Sequence, residues 1–517
     1  MYQQIFVNLG ILPPFKILYY ILKLHLMSIQ STSKNKTALY LETFLSFFPS
    51  FWFISMKPKR WVLGLILVCL GGCTLESSPS NGGETEEVES DFEAANNPCE
   101  NNLAADLYPC VNISLYAHIS PEDLGGQQVN DIWGWVDPET SKEYALVGLT
   151  DGVSFVDVTK PNEPIVVGKL DESDFPLKYS SFGLEDFPAC NLGLGSTTTA
   201  KAVVQGTAWR DMKVFNDHMF VVSDGQIHGM QVFDLTRLRS FEGSFMQFKE
   251  DALYKKLGNA HNIAINEASG YAYAIGVTQA DTCGSRNETG LHMIDINDPK
   301  NPTFAGCYAD PATEFSSSVS AGIGYIHDTQ CLNYQGPDDR YTGKELCFSS
   351  AEGAVVITDV GDKNNPLTLS ASADPSMEYS HQGWLTEDHR YFLMNDELDE
   401  LNFGRNTKTY IWDVSNINDP AFLGYHTHNT PSIDHNLYVH EEYVLQSNYT
   451  SGLRIFNLHD VDKARLNEVA YFDSEPSQND ANFSGTWSNY PYLPSGVILL
   501  SDIYNGLFIL RPDYLDK

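Results

Sequence analysis

Short apolar alternations ending in aspartate recur along the chain: VSFVDV from Val153, MQVFDL from Met230, LHMIDI from Leu291, VVITDV from Val355 and TYIWDV from Thr409. LRIFNL from Leu453 and LFILRP from Leu507 continue the series with a changed ending. A period of two over five or six residues predicts a β-strand, and the flanking Gly, Asn and Asp supply turns. Ahead of most alternations lies a second apolar run, such as YALVGL from Tyr144, FVVSD from Phe220, YVLQSN from Tyr443 and VILLSD from Val497, which reads as its hairpin partner. After four of them a proline-bounded turn leads to a further strand: PIVVGKL from Pro164, PTFAGCY from Pro302, PLTLSAS from Pro366 and PAFLGYH from Pro420. Proline there suits the entry of an edge strand.

A third series opens each unit: DIWGWV from Asp131, WRDMKV from Trp209, AHNIAI from Ala260, IHDTQC from Ile326, SHQGWL from Ser380, DHNLYV from Asp434 and GTWSNY from Gly485. From Trp209 onward these openings stand 51 to 66 residues apart, enough for four strands and their loops. The longer first interval holds an insertion at about 171–208 that contains Cys190. Seven such units predict an all-β fold, a seven-bladed β-propeller over residues 111–517, in which radial repetition buries both faces of every blade. The seventh unit has no fourth strand after Arg511, so NISLYAHI from Asn112 is expected to close the last blade. The aspartates at the strand ends, Asp157, Asp234, Asp295, Asp359 and Asp413, are expected to cap turns.

The N-terminal stretch has a different character. Lys57, Lys59 and Arg60 precede an apolar run from Trp61 to Leu70, followed by Gly71, Gly72 and Cys73. This is the pattern of a bacterial lipoprotein signal, with cleavage before Cys73 and lipidation of its sulfur. The expected organisation is an over-extended start at 1–55, a signal peptide at 56–72 and a lipidated flexible tether at 73–110. The tether's Ser, Gly, Asn and acidic composition carries too little apolar surface to fold. Localisation follows as an exported lipoprotein of the outer membrane or cell surface, with a periplasm-facing orientation left open, and the lipid makes the membrane its first partner.

Export suits the charge and the cysteines. The formal charge is −35, although residues 1–72 carry seven Lys or Arg against one Glu. Such a polyanion excludes nucleic acid as a partner and favours cationic ligands or divalent ions. In an oxidising compartment, proximity suggests the disulfides Cys99 with Cys110, Cys283 with Cys307, and Cys331 with Cys347, leaving Cys190 as a buried thiol.

The VSFVDV-like strands followed by a Pro-x-x-Pro turn resemble the LVIVD repeat. The wider ordered set, WGW, WRD, AHN, GLHMIDI, HDTQC, HQGWLTEDHRYF, NDELDE, TYIWDV and DHNLYV, is similar to the choice-of-anchor B family of bacterial surface proteins from about Asn112 to Pro512. That resemblance implies a surface-held body whose attachment varies. It implies no reaction or ligand, so function has to come from the residues.

Aligned by position, one column of the opening series reads Ile132, Arg210, His261, His327, His381, His435 and Thr486, with Trp133, Asp211, Asn262, Asp328, Gln382, Asn436 and Trp487 beside it. First strands line a propeller's channel, so four consecutive blades are expected to present histidine near one mouth. Three roles stay open: blade-to-blade hydrogen bonding, ligand recognition, and a site for zinc, iron or copper. Trp133, Trp135 and Trp487 are candidate contacts for a sugar or peptide. The run Asp396, Glu397, Asp399 and Glu400 is a calcium candidate without the calcium-loop pattern, and is expected as a solvated hairpin loop. Neither a GxSxG nucleophile elbow nor a phosphate-binding glycine loop occurs.

The leading expectation is a monomeric, lipid-anchored binding module for a protein or carbohydrate. One rival is a metal-assisted hydrolase or lyase acting on an extracellular polymer, with the four histidines as ligands and Arg210 steadying an anionic substrate. A structural envelope protein is the other. Replacing Cys73 by serine is expected to move the protein from the membrane to the soluble fraction, read by fractionation and by the mass of the N-terminal peptide. An unchanged membrane fraction removes the lipoprotein reading.

Overall fold

The computed structural model describes residues 92–173, 209–225, 228–277, 290–313 and 324–516. Cys73, Cys190 and Cys283, the signal segment and most of the insertion lie outside them. The described chain forms seven sheets, each built on four antiparallel strands that run in sequence order from the axis outward except in the seventh, whose outer strand comes from the N-terminal part of the chain. Their first strands are Val129–Val136, Arg210–Phe215, Asn262–Asn266, Asp328–Asn333, Ser380–Leu385, Leu437–His440 and Thr486–Tyr490. Each first strand packs on that of the next blade, and the seventh packs back on the first, which closes a seven-bladed propeller. No helix among the described residues is long and apolar enough to cross a membrane.

Alternation along the strands explains the packing. Both faces of every blade are apolar, and a buried cluster fills each of the seven gaps between neighbours. Phe155 of blade 1 stacks on Phe233 of blade 2, with ring centroids 4.8 Å apart. The strand-end aspartates cap turns as expected: Asp157, Asp234, Asp295, Asp359 and Asp413 each accept from the N–H two residues on, at 2.9–3.1 Å. In six blades the third-to-fourth strand pairing slips by one residue at the same place, as between Met293 and Ile294 or Ile357 and Thr358. Such bulges raise local twist, which splays successive blades around the axis.

Closure uses the N-terminus. Ile113–Ile119 pairs antiparallel with Gly506–Pro512 as the outer strand of blade 7. The chain before it belongs to the body as well, which corrects the tether boundary at 110. Leu103–Ala104 and Tyr108–Val111 form a hairpin on the outer edge of blade 6, Cys99 is bonded to Cys110, and Phe92 lies edge-on to Tyr116. Ala104, Tyr108 and Cys110, packed into the cluster between blades 6 and 7, and the disulfide stabilise a segment whose polar composition resembles a linker. The Cys331–Cys347 disulfide forms as expected, and Cys307 is also disulfide-bonded.

Blade 2 departs from the proline-turn pattern. Asp234 caps the 3₁₀ turn Leu235–Ser240, after which Met246–Phe248 adds in parallel to blade 1 before Ala252–Tyr254 completes blade 2. A chain starting at Ser120 lacks the closing strand and is expected to lose cooperative thermal unfolding. A single sharp transition in that chain, followed by near-ultraviolet circular dichroism, would show that the ring closes without it.

Candidate functional site

Alternate residues of the first strands line an axial basin of about 480 Å³. Asp131 and Trp133 come from blade 1, Asp211 and Lys213 from blade 2, and Asp328 and Gln330 from blade 4. Trp384, Tyr438, Tyr490 and Tyr492 complete the wall from blades 5, 6 and 7, with exposed Glu267 and Ala268 at the rim. The rings lean edge to face: Trp133 on Tyr490 at 5.0 Å, Trp384 on Tyr438 at 5.0 Å and Tyr490 on Tyr492 at 5.3 Å.

Beneath the rings, polar side chains clasp neighbouring blades. Asp211 accepts from the Ile263 N–H at 2.8 Å, and Asn262 donates to the His327 carbonyl at 3.1 Å. Gln382 holds both the N–H and the carbonyl of Leu437 at 2.9 Å, while Gln330 accepts from the Leu385 N–H at 2.9 Å. These bonds satisfy strand edges that no fifth strand covers. Blade-to-blade bonding is therefore realised at these positions.

The geometry corrects the register of two blades. Asp131, not Trp133, stands beside Asp211, since Lys213 Nζ lies 2.5 Å from Asp211 and 3.6 Å from Asp131. Ser488, not Trp487, continues the polar ring by accepting from Asn436 at 3.2 Å. Pairing shifts fall between Val129 and Ile132 and between Thr486 and Ser488, as one does between Ser380 and Gln382 in blade 5. All three charged groups are buried. Burial opposes the Asp131 charge, but Lys213 holds that carboxyl below its usual range; burial and the neighbouring Asp131 push Asp211 well above it. Burial also pushes Asp328 up to about 7.

The four histidines do converge, on the other side of the polar ring. Ring centroids are 4.6 Å apart from His261 to His327, 4.3 Å from His327 to His381 and 4.5 Å from His381 to His435, and Trp487 extends the stack at 4.6 Å. His327 Nδ1 meets the His381 carbonyl at 3.0 Å and His435 Nδ1 meets the Trp487 carbonyl at 2.6 Å. Burial holds His327 and His381 well below the usual histidine range and His435 at about 4. His261 differs: burial opposes its charge, but Asp224, 2.9 Å from Nδ1, raises it.

Other candidates are placed elsewhere. The Arg210 guanidinium is buried against the Leu149 carbonyl, His228 and Glu172 at 3.0, 3.0 and 3.2 Å, so it is not offered to an anionic substrate. Trp135 packs between blades, stacking on Tyr144 and donating to Asp217 at 3.1 Å. The acidic run is no solvated loop, because Asp396, Asp399 and Glu400 are at most 1% exposed. Its carboxylates also diverge. Asp396 accepts the Glu378 and Tyr379 N–H groups, Asp399 meets Arg405 and Lys408, and Glu397 turns to His381 and His435. Burial, with Asp399 alongside, pushes the Glu400 carboxyl well above its usual range. They do not form one calcium site.

The pairing of Glu397 with the histidines, Lys213, and the tyrosines at 438, 490 and 492 were missed from sequence. The strand period carried part of the signal: counting two residues on from Asp211 and Asn436 reaches Lys213 and Tyr438.

No known family profile and no curated protein matches the chain. Among solved structures, the β-propeller domain of Myceliophteria thermophila Cps50 (Swd1) is 12% identical, covering 71% of this chain and 93% of its own at a TM-score of 0.42. A protein from Lactobacillus plantarum is 12% identical over 73% of this chain and 89% of its own, with a TM-score of 0.38. A functionally unknown protein from Desulfotomaculum acetoxidans is 11% identical over 67% and 86%, at 0.38. The fold and channel define a seven-bladed β-propeller, an architecture that hosts many unrelated functions.

Lys213→Met leaves two buried carboxyls without their cation and is expected to lower stability by about 3–5 kcal/mol. Adding Asp211→Asn should restore a substantial part of that loss. Equal stability of the parent and the single variant in urea denaturation would remove the ionic cluster from the account of channel stability.

Proposed function

We propose that this chain is an exported, lipid-anchored surface protein of the choice-of-anchor B kind, and that its propeller binds a carbohydrate in the axial basin. The observation that carries the reading is the basin itself: about 480 Å³, walled by Trp133, Trp384, Tyr438, Tyr490 and Tyr492 above a floor of carboxyl and amide groups. That volume falls within the range of small-molecule sites. Aromatic faces pack against the apolar faces of sugar rings, and carboxylates and amides accept and donate to hydroxyls. Lys213, 4.4 Å above the Trp133 ring and beside two carboxyls, is already committed, so the floor favours a neutral or cationic ligand over an anionic one. The signal ending at Cys73 and the disulfides Cys99–Cys110 and Cys331–Cys347 support an oxidising, extracytoplasmic site of action.

An enzymatic reading would draw on the other side of the polar ring, where His381, Glu397 and His435 come together. The two readings separate by mutation. For the full chain in detergent, tested on a panel of neutral and cationic oligosaccharides, Trp384→Ala and Tyr490→Ala are each expected to weaken binding by on the order of 10-fold. His381→Ala should leave that binding in place. If no glycan binds, or if binding ignores both aromatic substitutions, the carbohydrate reading fails.

A further inference from the structure

We propose that His381, Glu397 and His435 bind one divalent transition-metal ion, held between blades 5 and 6 behind the ring of stacked imidazoles. His381 Nε2 lies 3.6 Å from one Glu397 carboxylate oxygen, and His435 Nε2 lies 3.8 Å from the other. Both separations are too long for hydrogen bonds. They are close to the spacing of two donors around one ion, since ligands about 2.1 Å from a tetrahedral zinc stand roughly 3.3 Å apart. The three donor atoms all lie within 4.8 Å of one another.

Proton accounting points the same way. The Nδ1 of His435 faces the Trp487 carbonyl at 2.6 Å and must donate to it, which leaves the Nε2 lone pair of the neutral ring turned toward Glu397. His381 Nδ1 is buried without a hydrogen bond, and the Nε2 of that ring faces the same carboxylate. Both Nε2 atoms thus face one carboxylate across gaps that a single cation would span. Tyr449 donates to Glu397 Oε1 at 2.9 Å and orients the carboxylate as outer partners do in metal sites. Two imidazoles and a carboxylate are the donor set of three-ligand zinc centres that keep a position open. The donor atoms that lie within 4.8 Å of one another are those of His381, Glu397 and His435, so His327 and His261 are not assigned as ligands.

The test uses the full chain in detergent, stripped with EDTA and dialysed, then titrated with Zn²⁺ alone by calorimetry and with Co²⁺ by its visible spectrum. One equivalent is expected in the parent, with the Co²⁺ bands of a low-coordinate nitrogen and oxygen site. His435→Ala and Glu397→Gln should each weaken binding by more than about 100-fold, and Tyr449→Phe by roughly 10- to 100-fold. His327→Phe should still take up one equivalent. Circular dichroism and the thermal transition show that each variant is folded, and Glu397→Gln preserves side-chain volume if the histidine variants are not. A parent that takes up no stoichiometric metal overturns the proposal. So does a folded Glu397→Gln that binds like the parent.

Discussion

Seven sheet edges face one axis, and that constraint orders everything else in this molecule. The first strand of a blade has a neighbour on one side only. Its other row of N–H and carbonyl groups is turned to a narrow channel that water reaches poorly, and an unpaired buried backbone group costs about as much as a lost hydrogen bond. The chain meets this with side chains borrowed from the next blade: Asp211 on Ile263, Asn262 on His327, Gln330 on Leu385 and Gln382 on Leu437. Amides recur there because each offers both a donor and an acceptor. The ring of polar residues is thus first a closure device, and the chemistry open to ligands is what that device leaves over.

What it leaves over is divided in two. On one side stand aromatic rings above a floor where Lys213 is balanced by Asp131 and Asp211. On the other stand imidazoles kept neutral by burial, with a carboxylate among them. Asn262 and Asn436 line both cavities, so the clasp is also the partition. A ligand in the basin and an ion among the histidines would be separated by one layer of side chains.

The repeat was legible from sequence because its signals are local. The period of two, the aspartates two residues before the N–H groups they cap and the close cysteine pairs 99–110 and 331–347 are read within short windows, while the strand near Asn112, which pairs with Gly506–Pro512, is found from the fourth strand that the last repeat lacks. The convergence of the four histidines was legible too, once the openings were stacked. What failed depended on facts no window contains. Asp131 stands in the ring and Trp487 in the imidazole stack, each one position from where the stacked openings put it. Arg210 shares its column with the histidines, yet its guanidinium leads away to Glu172 and His228. The acidic run reads as solvated by composition, and it is buried because blades 5 and 6 close over it.

Glu397 shows why that burial matters. It does not come from a first strand; it follows Tyr391–Asp396, the second strand of blade 5, and reaches the histidines from behind the layer that clasps the blades. Its neighbours are committed locally, Asp396 to two backbone N–H groups and Asp399 to Arg405 and Lys408. Those contacts fix the turn and leave the Glu397 carboxylate to accept from Tyr449 and to face the histidines. The residues that close the ring and the carboxylate that sets the chemistry of the histidine side therefore sit on different strands. Substitution at 397 can change that chemistry without opening a sheet edge, whereas removing the acceptor at 211 or 382 opens one. A fold whose closure consumes the side chains of its first strands keeps room for function by delivering the reactive group from the second.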